Sequence, residues 1–129
     1  MSRSRSSRSK SSRSRSEIGR QYEEIASRFL TNQGYRILAR TWRCPGGELD
    51  LVGVDGSTLS FIEVRARSSR ASYAPEDTVG PTKRRRLVRA AEAYLAANPW
   101  EGLCRFDVVA VDLGATSSTV RLFRDAFRA

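Results

Sequence analysis

Glu48, Asp50, Glu63 and Arg65 lie in two short apolar runs, Gly47-Glu48-Leu49-Asp50-Leu51-Val52 and Phe61-Ile62-Glu63-Val64-Arg65. Each run reads as a strand, and Asp55-Gly56 between them is a hairpin signal. Side chains alternate faces along a strand. If the loop spans Asp55 to Thr58, Val54 faces Leu59 and Asp50 faces Glu63. If Asp55 and Gly56 alone form it, Asp50 faces Phe61 and Glu63 lies diagonally. Either register puts Glu48, Asp50, Glu63 and Arg65 on one face. Three carboxylates beside a cation, held by rigid strands, suit a hard divalent metal and a phosphodiester. The plain structural alternative is a surface ion-pair cluster, in which Arg65 offsets the repulsion between neighbouring carboxylates.

Other residues extend the pattern. Glu23 flanks the apolar stripe of a helical segment and can reach the sheet edge that the helix covers, whereas Glu24 points away from the stripe into solvent. Lys83 stands four residues before Leu87, in the first turn of a second helical segment, where the helix dipole disfavours a cation. A nearby anion, either the carboxylates or a bound phosphate, would offset that cost. Arg84 partly shares this face, while Arg85, Arg86 and Arg89 form a basic ridge that suits solvent or a nucleic-acid backbone. Trp42, Trp100 and Phe106 read as core or boundary residues. The chain has no histidine, which excludes Ser-His-Asp and Cys-His triads and most zinc sites. Cys44 and Cys104 lack metal-like spacing and read as packing residues in a reduced, cytoplasmic setting.

The elements that must position these groups follow from periodicity. Ile18, Tyr22, Ile25, Ala26, Phe29 and Leu30 recur at helical spacing, with a capping box at Ser14 to Glu17 and a stop at Asn32-Gln33-Gly34. This predicts a helix over about 17–33. Strands are expected over 35–43, 48–54 and 58–67, then an irregular loop from Ser68 to Gly80. Pro81 opens a second helix to about Asn98, with Leu87, Val88, Ala91, Tyr94 and Leu95 as its apolar face. A largely apolar, central strand over 105–113 and a shorter one over 119–123 complete an α/β order, α-β-β-β-α-β-β, with helices packed on a mixed sheet.

The chain has 129 residues and a formal net charge of +9. Its first sixteen residues contain only Met, Ser, Arg and Lys, so the sequence predicts a disordered tail over 1–16 followed by one domain over 17–129. Six of the 23 Lys and Arg lie in that tail, leaving 17 against 14 Asp and Glu in the remainder. The remainder is therefore only mildly basic, while the tail favours polyanions by salt-sensitive attraction or serves as a solubilising extension. No apolar h-region follows the tail's charges, and no stretch is long enough to span a membrane.

From Gly19 onward the chain resembles the YraN-like family of small bacterial proteins. Gly19, Glu23, Ala26, Leu30 and Gly34 resemble its first helix. Trp42-Arg43 and Gly47-Glu48-Leu49-Asp50-Leu51 resemble its Gly-Glu-Ile-Asp motif. Phe61 to Arg67 resembles its strand with Glu-x-Lys. Lys83, Leu87, Ala91 and Tyr94-Leu95 resemble its second helix, and Arg105 to Val109 its late strand. The order and spacing of these motifs are more specific than any one of them.

That family resembles a branch of the restriction-endonuclease-like PD-(D/E)XK nuclease superfamily, with a fold like that of Holliday-junction resolvases. The resemblance implies that Asp50 and Glu63 bind Mg²⁺ or Mn²⁺, with the Val64 carbonyl as a further donor. It implies that Glu23 completes the acidic site directly or through water. Glu48 belongs to the motif without being a secure ligand. The lysine of the motif is replaced here by Arg65, which stays protonated and cannot act as a general base, although it can clamp a phosphate. Three outcomes stay open: the metal performs the deprotonation, Lys83 supplies the amine, or hydrolysis is weak or lost.

The expectation is a metal-dependent nuclease-like protein acting on DNA or structured nucleic acid, with Glu23, Asp50, Glu63, Arg65 and Lys83 at the site. Arg43, Arg67, Arg84, Arg85, Arg86 and Arg89 are the expected nucleic-acid contacts. No membrane partner and no small-molecule cofactor are expected, and the oligomeric state is open, a homodimer included. The alternative is a non-catalytic nucleic-acid-binding or assembly module on the same fold, because of Arg65.

Overall fold

The hairpin that carries the carboxylates occupies the middle of a five-stranded sheet. The computed structural model describes residues 2–66, 79–114 and 117–129, with side chains from residue 17 onward except at 113 and 118. The elements are α1 (Ser2–Asn32), β1 (Arg36–Cys44), β2 (Gly47–Asp55), β3 (Thr58–Ala66), α2 (Pro81–Ala97), β4 (Cys104–Leu113) and β5 (Ser118–Phe127). They form the expected α/β arrangement, a mixed sheet in the order β1-β2-β3-β4-β5. Only β3 and β4 run parallel, as the α2 crossover between them requires. β4 is flanked by two strands, and β3 is the middle one.

The sheet buries both faces. Ala26 and Leu30 of α1 pack with Tyr35, Leu51, Ile62, Val109 and Val111 on one side. Leu87, Ala90, Ala91 and Tyr94 of α2 pack with Leu49, Val52, Phe61, Phe106 and Phe127 on the other. Ala90 belongs to this face although its small side chain carries no strong sequence signal. Gly47 lets α2 approach closely, since an added Cβ there would meet the Arg86 carbonyl oxygen at 3.2 Å and the Ala90 Cβ at 3.4 Å. Pro81 stands at the start of α2, after Gly80 as N-cap.

Several boundaries differ from the sequence reading. The backbone of α1 is helical from Ser2, where the composition predicts disorder, and the Ser14 to Glu17 capping box falls inside the helix. Arg and Lys are good helix formers, and extending a nucleated helix avoids the cost of starting one. Among the described side chains of α1, packing on the sheet begins with Tyr22 and Ile25, whereas Ile18 is exposed. β5 runs to Phe127 rather than stopping near Phe123. Its register against β4 shifts between Phe106 and Val108, and Asp125 adopts φ 54°. That irregularity seats Phe127 on Phe106, ring centroids 4.6 Å apart. The loop expected over Ser68 to Gly80 lies outside the described residues except at its last two.

A buried polar hub sits on the α1 side of the sheet, around Asp107 opposite Ile62. The Asp107 carboxylate, fully buried, accepts hydrogen bonds from the Tyr35 hydroxyl at 2.8 Å, the Ser60 hydroxyl, the Arg105 Nε at 2.8 Å and the Asp125 N–H at 2.8 Å. Arg105 also donates to Asp55 at 2.7 Å. Burial, followed by the charge of Asp107, raises the Tyr35 hydroxyl well above the usual phenol range. The Arg105 hydrogen bond, with Arg124 beside it, holds the Asp55 carboxyl low.

Candidate metal and nucleic-acid site

β2 and β3 pair with Val54 opposite Leu59 and Asp55 opposite Thr58. The turn is therefore Gly56-Ser57, with Gly56 at φ 65°. Pairing extends one residue further toward the turn than the wider-loop register assumes, but keeps its alignment. The regular pairing ends with Leu51 opposite Ile62, and the residues just past it, Asp50 and Glu63, meet in one cleft. The diagonal arrangement does not occur. Asp50, Glu63, Glu48 and Lys83 line one cleft of about 830 Å³ between the hairpin and α2.

Asp50 and Glu63 form a close carboxylate pair. Asp50 accepts the Val64 N–H at 2.8 Å. Its carboxyl is pushed up to about 8, first by burial and then by the Glu63 charge, with the Val64 N–H opposing and Glu23 adding to the rise. The Glu63 side chain is only 5% exposed, and its Oε2 lies 3.1 Å from Lys83 Nζ and 3.7 Å from an Arg65 guanidinium nitrogen. Lys83 thus has the anion that its position in the first turn of α2 calls for.

Glu23 reaches the neighbourhood from α1. Its Oε1 accepts a hydrogen bond from the Thr41 hydroxyl at 2.9 Å. Glu24 stays at the surface, as expected, and pairs with Arg28 at 2.8 Å and with Arg40 at 2.7 Å. Glu48 pairs loosely with Arg43 at 3.8 Å. Arg43, Arg86 and Arg89 line the same cleft. Arg84 turns elsewhere, donating to the Val79 carbonyl at 2.7 Å and lying over the Phe127 ring. Arg85 leans on Thr82 at 3.4 Å. Arg67 lies outside the described residues. Trp42 packs edge-on against Tyr94, and Phe106 is in the core, so both serve packing.

Among the described residues no group of three or more His, Cys, Asp or Glu side chains is arranged to hold a metal ion. The donor set on offer is two adjacent carboxylates in a polar cleft. That set fits a hard cation such as Mg²⁺, which commonly takes one or two carboxylates and keeps several waters. Sequence reasoning missed Thr41, because nothing in its residue type announces a backbone turned toward α1. It also missed the Asp107 hub, whose signal was a lone Asp inside the apolar run Phe106 to Val111.

The sequence comparisons agree on one family. The model of "Uncharacterised protein family UPF0102" matches residues 22–111. A UPF0102 protein of Chlorobium chlorochromatii is 44% identical over 117 residues, covering 86% of this chain and 91% of that protein. One from Anaeromyxobacter dehalogenans is 47% identical over 111 residues, covering 85% and 83%. One from Symbiobacterium thermophilum is 44% identical over 114 residues, covering 87% and 97%. The matched segment contains Glu23, Asp50, Glu63 and Lys83 together with most of both cores of the sheet, and the chain belongs to the UPF0102 family.

Proposed function

We propose that this protein is a divalent-metal-dependent phosphodiesterase acting on DNA or structured nucleic acid in the cytoplasm. The observation that carries the reading is that Asp50 and Glu63 line one cleft walled by cations. Two neighbouring carboxylates of which one resists ionisation form a site that a hard cation stabilises.

In this reading Asp50 and Glu63 would hold Mg²⁺ or Mn²⁺, which when bound lowers the pKa of water and polarises a phosphodiester. The Val64 N–H fixes the orientation of Asp50. Lys83, half exposed and paired with Glu63, offers positive charge to a scissile phosphate. Arg65 performs the same electrostatic service, because a guanidinium does not give up its proton. Arg43, Arg86 and Arg89 draw the backbone into the cleft without reading sequence.

The test is cleavage of duplex, branched and single-stranded DNA with Mg²⁺ or Mn²⁺, comparing wild type with Asp50→Ala and Glu63→Ala. Loss of turnover in both variants is expected. Cleavage that survives Asp50→Ala in contaminant-free protein would exclude this site.

One observation favours a second reading, a non-catalytic nucleic-acid-binding module. Lys83 and Arg65 both face Glu63 Oε2 and act as built-in counterions. That reading expects salt-dependent DNA binding with neither turnover nor Mn²⁺ binding. Calorimetric titration of Mn²⁺ into wild type and Glu63→Ala separates the two.

A further inference from the structure

Thr41 is a β-branched residue with φ 46° in the middle of a strand. Such residues avoid this region, which persists only where surrounding structure enforces it and which clusters at functional sites. The other positive-φ non-glycine residue among those described is Asp125, and Asp tolerates the conformation far better.

The position of the strain is specific. Arg40 pairs with Leu51 and Trp42 with Leu49, which leaves Thr41 opposite Asp50. Both strands change face at this point. Arg40 bonds Glu24 and Ser27 on α1, while Trp42 packs against Tyr94 on α2. On β2, Leu49 belongs to the α2 core and Leu51 to the α1 core. The twist at Thr41 turns its hydroxyl to the Glu23 carboxylate at 2.9 Å, so Glu23 is tied to the β1 position that lies across from Asp50.

We propose that Thr41 is a positioning residue of the Asp50–Glu63 site: its strained backbone aims the hydroxyl at Glu23 and holds that carboxylate beside the pair. The inference rests on the metal-dependent reading above. Residues that orient a metal's surroundings from outside its direct ligands commonly affect metal affinity or activity by about 10- to 100-fold.

The test uses Thr41→Gly, which accepts the backbone conformation but lacks the hydroxyl, and Thr41→Ser, which keeps the hydroxyl. Mn²⁺ affinity by calorimetry, DNA cleavage and thermal midpoint are measured on the full chain. Thr41→Gly is expected to keep or raise Tm, by up to ~3 °C as strain is relieved, while Mn²⁺ affinity and cleavage fall roughly tenfold or more. Thr41→Ser is expected to stay within about twofold of wild type, less than the effect of losing an outer partner. A merely structural threonine would not move stability and metal affinity in opposite directions. Wild-type affinity and cleavage in Thr41→Gly, or an equal loss in Thr41→Ser, would overturn the proposal. If wild type neither binds Mn²⁺ nor cleaves, the metal-dependent reading fails by itself. The Thr41–Glu23 hold is then decided by a double-mutant cycle of Thr41→Gly with Glu23→Ala, in which coupled Tm shifts support it and additive shifts refute it.

Discussion

At the scale of single residues, Asp50 makes the site depend on pH. An unfolded Asp titrates at about 3.9, whereas folded Asp50 is pushed up to about 8, chiefly by burial and by the Glu63 charge. The folded state therefore binds this proton more tightly than the unfolded state between those values. The stabilisation is fully present below about pH 4 and is lost as pH rises through about 8. In EDTA, the urea midpoint of wild type is expected to fall from about pH 5 to about pH 8, at a cost of roughly 2–4 kcal/mol. Asp50→Asn, which still accepts the Val64 N–H, should flatten this slope and exceed wild type in stability at the alkaline end. A wild-type midpoint that stays level or rises would show that burial and Glu63 do not hold the proton on Asp50. The closeness of Asp50 and Glu63 was legible from the hairpin signal and strand alternation on the Leu51 to Val54 side, whereas the change of face of β2 at Asp50, which puts Leu49 and Leu51 in opposite cores, was not. The departure at Thr41 was not, because φ depends on what the neighbouring strand and helix demand.

At the scale of elements, the turn decides between the two hairpin registers. Pairing continues to Asp55 and Thr58, since Gly56 adopts the left-handed conformation that a tight turn requires. Helix faces and the order of elements along the chain were readable from apolar spacing, but the place of each strand in the sheet, with β3 in the middle, was not. The length of β5 was not, because Arg124-Asp125 interrupts its pattern and Phe127 is recruited by a ring stack with distant Phe106. The Asp107 hub was hidden for the same reason, with Tyr35 and Asp107 meeting across 72 residues of chain. That hub joins β3, β4 and β5 to the start of β1; Asp107 pairs with Ile62, next to Glu63 in β3, but the hub lies with Tyr35 on the α1 side of the sheet while Glu63 faces Lys83 of α2. Asp107→Ala would leave Arg105 without its buried partner and strand the Tyr35 and Ser60 hydroxyls. A loss of roughly 3–5 kcal/mol is expected, read as a fall in the denaturant midpoint. Mn²⁺ affinity at temperatures where the variant stays folded should be unchanged. A large affinity loss there would mean that the hub and the cleft are one site.

At the scale of the whole molecule, two groups of cations bear on the proposed DNA binding. Arg43, Lys83, Arg86 and Arg89 line the carboxylate cleft, so on the proposed reading they would act on a phosphate backbone locally. The six cations of residues 1–16 lie in a segment with no apolar residue after Met1. Helical backbone there extends α1, and among the described side chains of that helix the apolar packing starts at Tyr22 and Ile25. Removing residues 1–16 should therefore shift Tm by no more than ~2 °C, the scale of a few tenths of a kcal/mol. DNA affinity should respond far more strongly. Each phosphate neutralised contributes about 0.9 to the slope of log Kobs against log salt, so engagement of all six cations would steepen it by up to about 5. Full-length and truncated protein are compared by fluorescence anisotropy on one duplex across a salt series. A slope that is unchanged by truncation would place DNA attraction in the cleft and on α2. A slope that collapses toward zero would leave the cleft cations to hold only the scissile phosphate, with the tail supplying nearly all of the long-range capture.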